Sequence, residues 1–192
     1  MPWRAWLTLL LALPLAACLE TDLTLRADGS ITGTISWLAA ADMPEAAARA
    51  LLAHEGITIK RVELKDTEVP AATQGGAAKK ARRVTAEIEA TSLVALTGAP
   101  LLTALNTSAT LGKPDAGKRT LTVRASKSDR LGPPRTTDNV IRLHFPGPVT
   151  ETSAKASGSE VTWTVPAREF QEKPSVDLSV VYATEGAPPP AP

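Results

Sequence analysis

The sequence predicts an α+β domain, a mainly antiparallel β-sheet with two helical segments packed on one face. Three observations point there. Short runs with an apolar residue at every second position recur along most of the chain, which is the period of a half-buried strand. Those runs are bounded by Asp-Gly, Gly or Pro, the residues that turn a chain back on itself. Two segments, one rich in alanine before Gly56 and one rich in leucine between 93 and 105, break the alternation in favour of helical spacing. A pure β-sandwich is the alternative. With 192 residues the chain has room for one modest domain, since a chain of about 150 residues buries roughly two thirds of its unfolded surface. Its 43% apolar and 21% charged residues exclude collagen, coiled coil and wholesale disorder. Lys+Arg 21 against Asp+Glu 20 leaves a formal charge of +1, which argues against a general nucleic-acid binder with its strongly basic face.

The elements follow in order. Leu23, Leu25 and Ala27 alternate with polar residues up to Asp28-Gly29, and Ile31, Gly33, Ile35 and Trp37 alternate after it, so residues 23–37 read as a hairpin. A helix is expected over 43–55, with Asp42 as N-cap, Pro44 in the first turn and Glu45 three residues after the cap. Ile57, Ile59, Val62 and Leu64 make a strand whose phase slips near Lys60-Arg61, the signature of a bulge. Residues 67–81, with Pro70, Gly75 and Gly76, read as a loop, and Val84, Ala86, Ile88 and Ala90 as the next strand. The leucines at 93, 96, 101, 102 and 105 form a helical region that Gly98 and Pro100 must kink or shorten. From about 119 the chain is β-rich, with four or five antiparallel strands carrying Leu121 and Val123, Ile141 and Leu143, Val161 and Trp163, and Val176 to Tyr182. The last residues, 185–192, contain four prolines and read as a disordered or extended tail.

At the N-terminus, Arg4 is followed by leucines at 7, 9, 10, 11, 13 and 15 and then by Leu15-Ala16-Ala17-Cys18. The apolar run is shorter than the roughly 20 residues of a membrane-spanning helix and runs directly into Glu20 and Asp22. It resembles a bacterial lipoprotein signal peptide with its lipobox. That resemblance implies removal of residues 1–17 and transfer of diacylglycerol, with fatty chains such as palmitate, to the Cys18 thiol. Cys18 is the sole cysteine, so no intramolecular disulfide can form, and the mature balance of charge becomes 20 against 20 once Arg4 is lost. Acyl chains tether rather than span. Leu19 is not the Asp that retains such lipoproteins at the inner membrane in enterobacterial cells, so the expected location is the cell membrane or outer membrane, facing the extracytoplasmic side.

Residues 18–184 resemble the LppM-like lipoprotein domain. The features that carry this are the lipobox cysteine, the early Leu23-Thr24-Leu25-Arg26-Ala27-Asp28-Gly29-Ser30-Ile31-Thr32-Gly33 hairpin, and the later Phe145-Pro146-Gly147-Pro148-Val149, Gly158 and Val161-Thr162-Trp163. The resemblance implies a non-enzymatic envelope lipoprotein that interacts with lipids or glycolipids. Several relatives continue into a C-terminal transmembrane helix, whereas this sequence ends in Ala187-Pro188-Pro189-Pro190-Ala191-Pro192, so anchoring at two ends is not expected.

Few residues carry chemistry on their own account. Gly112-Lys113-Pro114-Asp115-Ala116-Gly117-Lys118 has the spacing of a phosphate-binding loop, but Arg119 stands where Ser or Thr would hold Mg²⁺, and a strand pattern follows where a helix is needed. It reads as a turn. His54 and His144, the two histidines, lack the spacing of a zinc site, and no cofactor or metal is expected. Lys79, Lys80, Arg82 and Arg83 form a basic cluster that could face anionic headgroups, although a solvated strand edge needs such charges too. Trp37 and Trp163 lie in strands, where they either fill the core or stack on a sugar or lipid. The expected function is therefore a lipid-anchored envelope protein, non-enzymatic, whose domain takes a lipid or glycolipid in an apolar groove between the leucines of 93–105 and the strands bearing Trp37 and Trp163. The rival is an envelope scaffold that docks a protein partner through a sheet edge.

Overall fold

A computed structural model describes residues 19–69, 78–126, 138–166, 169 and 173–184. The leader with Cys18, the centre of the 67–81 loop and the proline-rich tail lie outside the described residues. The fold is α+β, with its strands divided between two sheets instead of one. The first sheet contains β1 (Glu20–Leu25), β2 (Ile31–Ala40), β3 (Ile57–Val69), β4 (Lys79–Ala90), β7 (Asn139–His144), β9 (Lys155–Ser157) and β10 (Glu160–Val165) in the order β3-β4-β2-β1-β7-β10-β9. The second contains β5 (Thr107–Leu111), β6 (Lys118–Ser126), β8 (Val149–Thr152) and β11 (Ser175–Ala183) in the order β5-β6-β11-β8. Among the described residues, three short helices have described bounds, α1 (Glu45–Leu52), α2 (Leu93–Thr97) and α3 (Pro100–Ala104).

The first hairpin forms where the alternation places it. Leu23 pairs with Gly33 and Leu25 with Ile31, and Asp28 closes the turn by accepting from both the backbone N–H and the hydroxyl of Ser30. The strands differ from expectation at their ends, because Ala27 belongs to the turn and β1 reaches back to Glu20. Gly33 is required here: its φ is +143°, and a Cβ would lie 2.1 Å from the carbonyl oxygen of Asp22 and 2.9 Å from the Cα of Leu23. The neighbouring backbone therefore occupies the space of a side chain.

Helix α1 is shorter than the 43–55 expected, and Asp42 does not cap it. Pro44 is the N-cap in an extended conformation, after a turn in which the Met43 N–H donates to the Ala40 carbonyl. Ala48, Leu51 and Leu52 form its buried stripe. The leucine-rich region does split at Gly98 and Pro100, into α2, capped by Ser92 through the Ala95 N–H, and α3, which starts with Pro100. The bulge also falls where the phase slips, between Ile59 and Arg61. The 67–81 loop is shorter than its composition suggests: β3 continues to Val69 and β4 begins at Lys79, with Glu68 opposite Lys80 and Val69 opposite Lys79. Cross-strand pairing extends the ladder where apolar alternation has already stopped.

Three strands, β5, β8 and β9, carry too few apolar residues to be read from sequence. They exist because neighbours hold them: Thr107–Leu111 pairs with Leu121–Ala125, and Lys155–Ser157 pairs with Glu160–Thr162. One pairing is parallel, β1 beside β7 from Glu20↔Val140 to Thr24↔His144. The Pro146-Gly147-Pro148 stretch carries the chain from one sheet to the other. Phe145 donates to the Ser159 carbonyl on one side and Pro148 accepts from Ala183 on the other, while a Cβ on Gly147 would stand 2.2 Å from the Ala183 carbonyl oxygen. The rings of Phe145 and Tyr182, 4.6 Å apart at 34°, join the two sheets at this point. One apolar cluster runs through the molecule, combining Ile35, Trp37, Val84 and Val161 of the first sheet, Leu121, Leu178 and Val180 of the second, and Leu52, Leu101 and Leu102 of the helices.

Gly33→Ala is expected to destabilise the fold by about 2 kcal/mol or more, because it combines backbone strain with a clash against unmovable main chain. Gly29→Ala, with φ +87° but nothing within 4 Å, should cost clearly less. Urea denaturation of the two variants beside the wild type measures the difference.

Candidate functional site

Leu19, the residue after Cys18, is held firmly. Leu19 is buried, its N–H donates to the Asn139 Oδ1 at 2.9 Å, and its carbonyl accepts from the Val140 N–H at 3.0 Å. Asn139 is itself buried, so its amide oxygen exchanges water for a backbone donor in the interior. One residue on, Glu20 accepts from Arg83 Nη1 at 3.0 Å, which ties the start of β1 across β2 to β4 at a point beyond which β4 reaches on to Lys79.

The structure therefore brings the basic cluster to the same end of the sheet as Leu19, but it splits the cluster between two faces. All four residues lie on β4, whose side chains alternate. Lys79 and Arg83 share the face turned away from the helices and the second sheet, as does Lys65 opposite Arg83 on β3. Lys80 and Arg82 point to the other side. Arg82 is a brace: it donates to Asp66 Oδ1 and to the Met43 carbonyl, both at 2.9 Å, tying β3 to the turn that enters α1. Lys79 and Lys80 are exposed. Beside Lys80, an open depression of about 410 Å³ is lined by Ala41, Asp66, Thr67, Glu68 and Ala81.

Trp37 and Trp163 are core residues, 1% and 4% exposed. Neither presents a ring face to solvent for stacking, and the indole N–H of each is buried without a partner among the described residues. Their apolar area, which far outweighs one lost hydrogen bond, explains why the core accepts them. Leu96, Leu101, Leu102 and Leu105 are buried in the same cluster. The gap between the sheets near Leu105, lined also by Leu19, Asn139, Ile141, Val165 and Leu178, encloses about 20 Å³. That is room for one water molecule, whereas small-molecule pockets start at about 300 Å³. The expected groove is thus filled there by the protein's own side chains.

Sequence reasoning missed the charged network on the outer face of the first sheet. Asp22 on β1 accepts from Arg142 Nη1 through Oδ2 and bonds His144 Nε2 through Oδ1, each at 3.0 Å. Glu160 on β10 lies 3.4 Å from Arg142 Nε and 3.9 Å from His144 Nδ1. The signal was present in the alternation, since Asp22, Arg142, His144 and Glu160 all fall at outward positions, but only the register brings three strands together. Partial burial works against ionisation of Asp22, yet the hydrogen bonds from Arg142 and His144, with their charges, outweigh it and hold the carboxyl below its ordinary value of 3.8. His54 is exposed, its Nδ1 within 2.9 Å of the Glu55 carbonyl. The Gly112–Lys118 stretch is a hairpin turn: Asp115 and Lys118 exchange backbone hydrogen bonds while Ala116 and Gly117 take φ of 46° and 75°. Among the described residues, no group of three or more His, Cys, Asp or Glu is placed to hold a metal, and no helix is long and apolar enough to cross a membrane.

Because the folded pKa of Asp22 is depressed, its contribution to stability is present above 3.8 and is lost as pH falls through the folded value. Asp22→Asn should cost about 1 kcal/mol or less at neutral pH, the range for exposed pairs. The gap between variant and wild type should close in acid, as read by urea denaturation across that pH range.

Comparison with known proteins places this geometry. No curated protein matches the sequence. Among solved structures, the NMR structure of the folded domain of the Mycobacterium tuberculosis LppM protein superposes with a TM-score of 0.51 at 15% identity, over 91% of this chain and 93% of that one. An M1 zinc metallopeptidase from Deinococcus radiodurans gives a TM-score of only 0.34 at 12% identity, over 88% of this chain and 41% of the enzyme, and bears on nothing further. The model of the LppM domain matches residues 18–173, most of the sequence, and the chain therefore belongs to the LppM domain family.

Proposed function

We propose that the protein is a non-enzymatic cell-envelope lipoprotein, acylated on Cys18 and held on the extracytoplasmic face of the cell membrane or outer membrane, where its domain engages envelope lipid or glycolipid. The observation that carries this reading is the position of the sole cysteine relative to the fold. The first described residue, Leu19, is already buried and bonded at both its N–H and its carbonyl. Cleavage before Cys18 would remove an apolar leader and leave every strand intact. The membership in a lipoprotein-type domain family agrees with it. With the inter-sheet gap nearly filled, contact with lipid belongs to the exterior of the domain, at the end where the chain meets the bilayer.

A second reading, docking of a protein partner through a sheet edge, is favoured by β3, a strand of 13 residues that ends the first sheet and, among the described residues, pairs with β4 alone. Its charges, among them Lys60, Arg61, Glu63 and Lys65, discourage indiscriminate strand addition and would demand a matched partner.

The intact mass of protein purified from membranes is expected to start at Cys18 and to carry diacylglycerol. Cys18→Ser should abolish the modification and release the domain, with an unchanged circular dichroism spectrum, to the soluble fraction. A full-length chain with a free thiol would overturn the lipoprotein reading. Cross-linking from β3 that recovers one partner at unit stoichiometry would favour the second.

A further inference from the structure

We infer that the outer corner of the β3–β4 hairpin, carrying Lys65, Lys79 and Arg83, is a contact surface for anionic lipid headgroups, pressed onto the bilayer because no linker separates the anchor from the fold. This rests on acylation of Cys18 and adds to it an orientation and a ligand chemistry.

The geometry comes from strand register. Leu19 precedes Glu20, which is level with Ser36 on β2, Thr85 on β4 and Glu63 on β3. Leu19 is therefore level with Val84, and β4 extends from there to Lys79 beyond the anchored end. Five residues of strand at about 3.3 Å each project roughly 16 Å past the point where the chain enters the fold. Consecutive Cα atoms are about 3.8 Å apart, so Cys18 has almost no reach of its own from the buried Leu19. With the acyl chains in the bilayer, a hairpin that overreaches the anchor must lie against the headgroups.

The charge on that corner fits. Lys65, Lys79 and Arg83 share one face, in register as Lys65↔Arg83 and, two and four residues further, Thr67↔Ala81 and Val69↔Lys79. Arg83 is paired with Glu20 across β2. Among the described residues, no carboxylate lies within 4.0 Å of the ammonium of Lys65 or Lys79, and both side chains are exposed. The corner thus presents two uncompensated cations, with Thr67 and Val69 half-buried between them and Ala81 buried beneath. Arg82 and Lys80, on the opposite face, take no part.

The test uses the full acylated protein in phospholipid vesicles, with a nitroxide attached at Ala78→Cys or, as the reference, at Ser157→Cys, which lies level with Thr24 at the far end of the sheet. In vesicles containing phosphatidylglycerol, collision of the label at 78 with a water-soluble nickel chelate should fall about threefold relative to pure phosphatidylcholine, and the label at 157 should not change. Lys65→Glu with Lys79→Glu should abolish the difference without altering acylation, as should 1 M salt, where the screening length is about 3 Å. Equal accessibility of the label at 78 in both vesicle types overturns the inference while leaving the lipoprotein reading in place. Purified protein with unmodified Cys18 overturns both.

Discussion

The fold depends on β1. Its six residues sit at the middle of the seven-stranded sheet, antiparallel to β2 on one side and parallel to β7 on the other. The strands β2, β3 and β4 come from the first half of the chain and β7, β9 and β10 from the second, and among the described residues β1 alone joins them. Removing its pairing would divide the sheet and open the core that Leu23, Leu25, Leu143 and Val161 share. The hydrogen bond from the Leu19 N–H to buried Asn139 extends the seam by one residue, and the Asp22 network spans it on the outside. An internal polar bond and an external ion network thus secure the same junction from opposite faces.

The two faces of that sheet obey different physics. The inner face carries Trp37, Ile35, Val84, Val161 and Trp163 against the helices and the second sheet, and its stabilisation scales with buried apolar area. The outer face carries Thr24, Thr32, Thr34 and Thr162 together with Glu20, Asp22, Arg142 and Glu160, whose pairs are exposed and individually weak. These charges specify register more than they stabilise, because a one-residue slip of β7 would send Arg142 and His144 into the core.

The alternation and the turn residues made the strongly amphipathic strands legible, as with the Asp28-Gly29 hairpin and the bulge beside Lys60-Arg61. Where a strand owes its existence to a neighbour, the sequence is silent: Thr107–Leu111 and Lys155–Ser157 carry too few apolar residues to betray them, and Val69 and Lys79 lie past the last alternating residues. Asp42 looked like a helix cap because composition cannot show that Pro44 enters α1 from an extended conformation. The basic cluster was visible as a run of letters. Its division between a bracing Arg82, an ion-paired Arg83 and the exposed lysines follows from strand alternation once β4 is known to begin at Lys79, and Lys65 joins them only through pairing 18 residues away in sequence. The tryptophans show the reverse limit, since a large aromatic on a strand is compatible with both a core and a binding face until its exposure is known.

Under the proposed acylation of Cys18, one residue from buried Leu19, weak charges would accomplish more than they can on a free domain. A basic residue near an anionic membrane contributes about 1 kcal/mol, so two lysines would not hold a free domain at the surface. Acyl chains on Cys18 would remove the translational cost of association and leave headgroups at high effective concentration around the proposed corner. A flexible linker would dilute that concentration as it lengthened, and would let the domain turn any face to the bilayer. Here Leu19 is bonded into the sheet, so with the proposed anchor at Cys18 rotation of the domain would require rotation of that end itself. Under that constraint a contribution too small to recruit a protein is large enough to select one orientation over another, because the competing orientations differ only by the contacts they gain or lose at the surface.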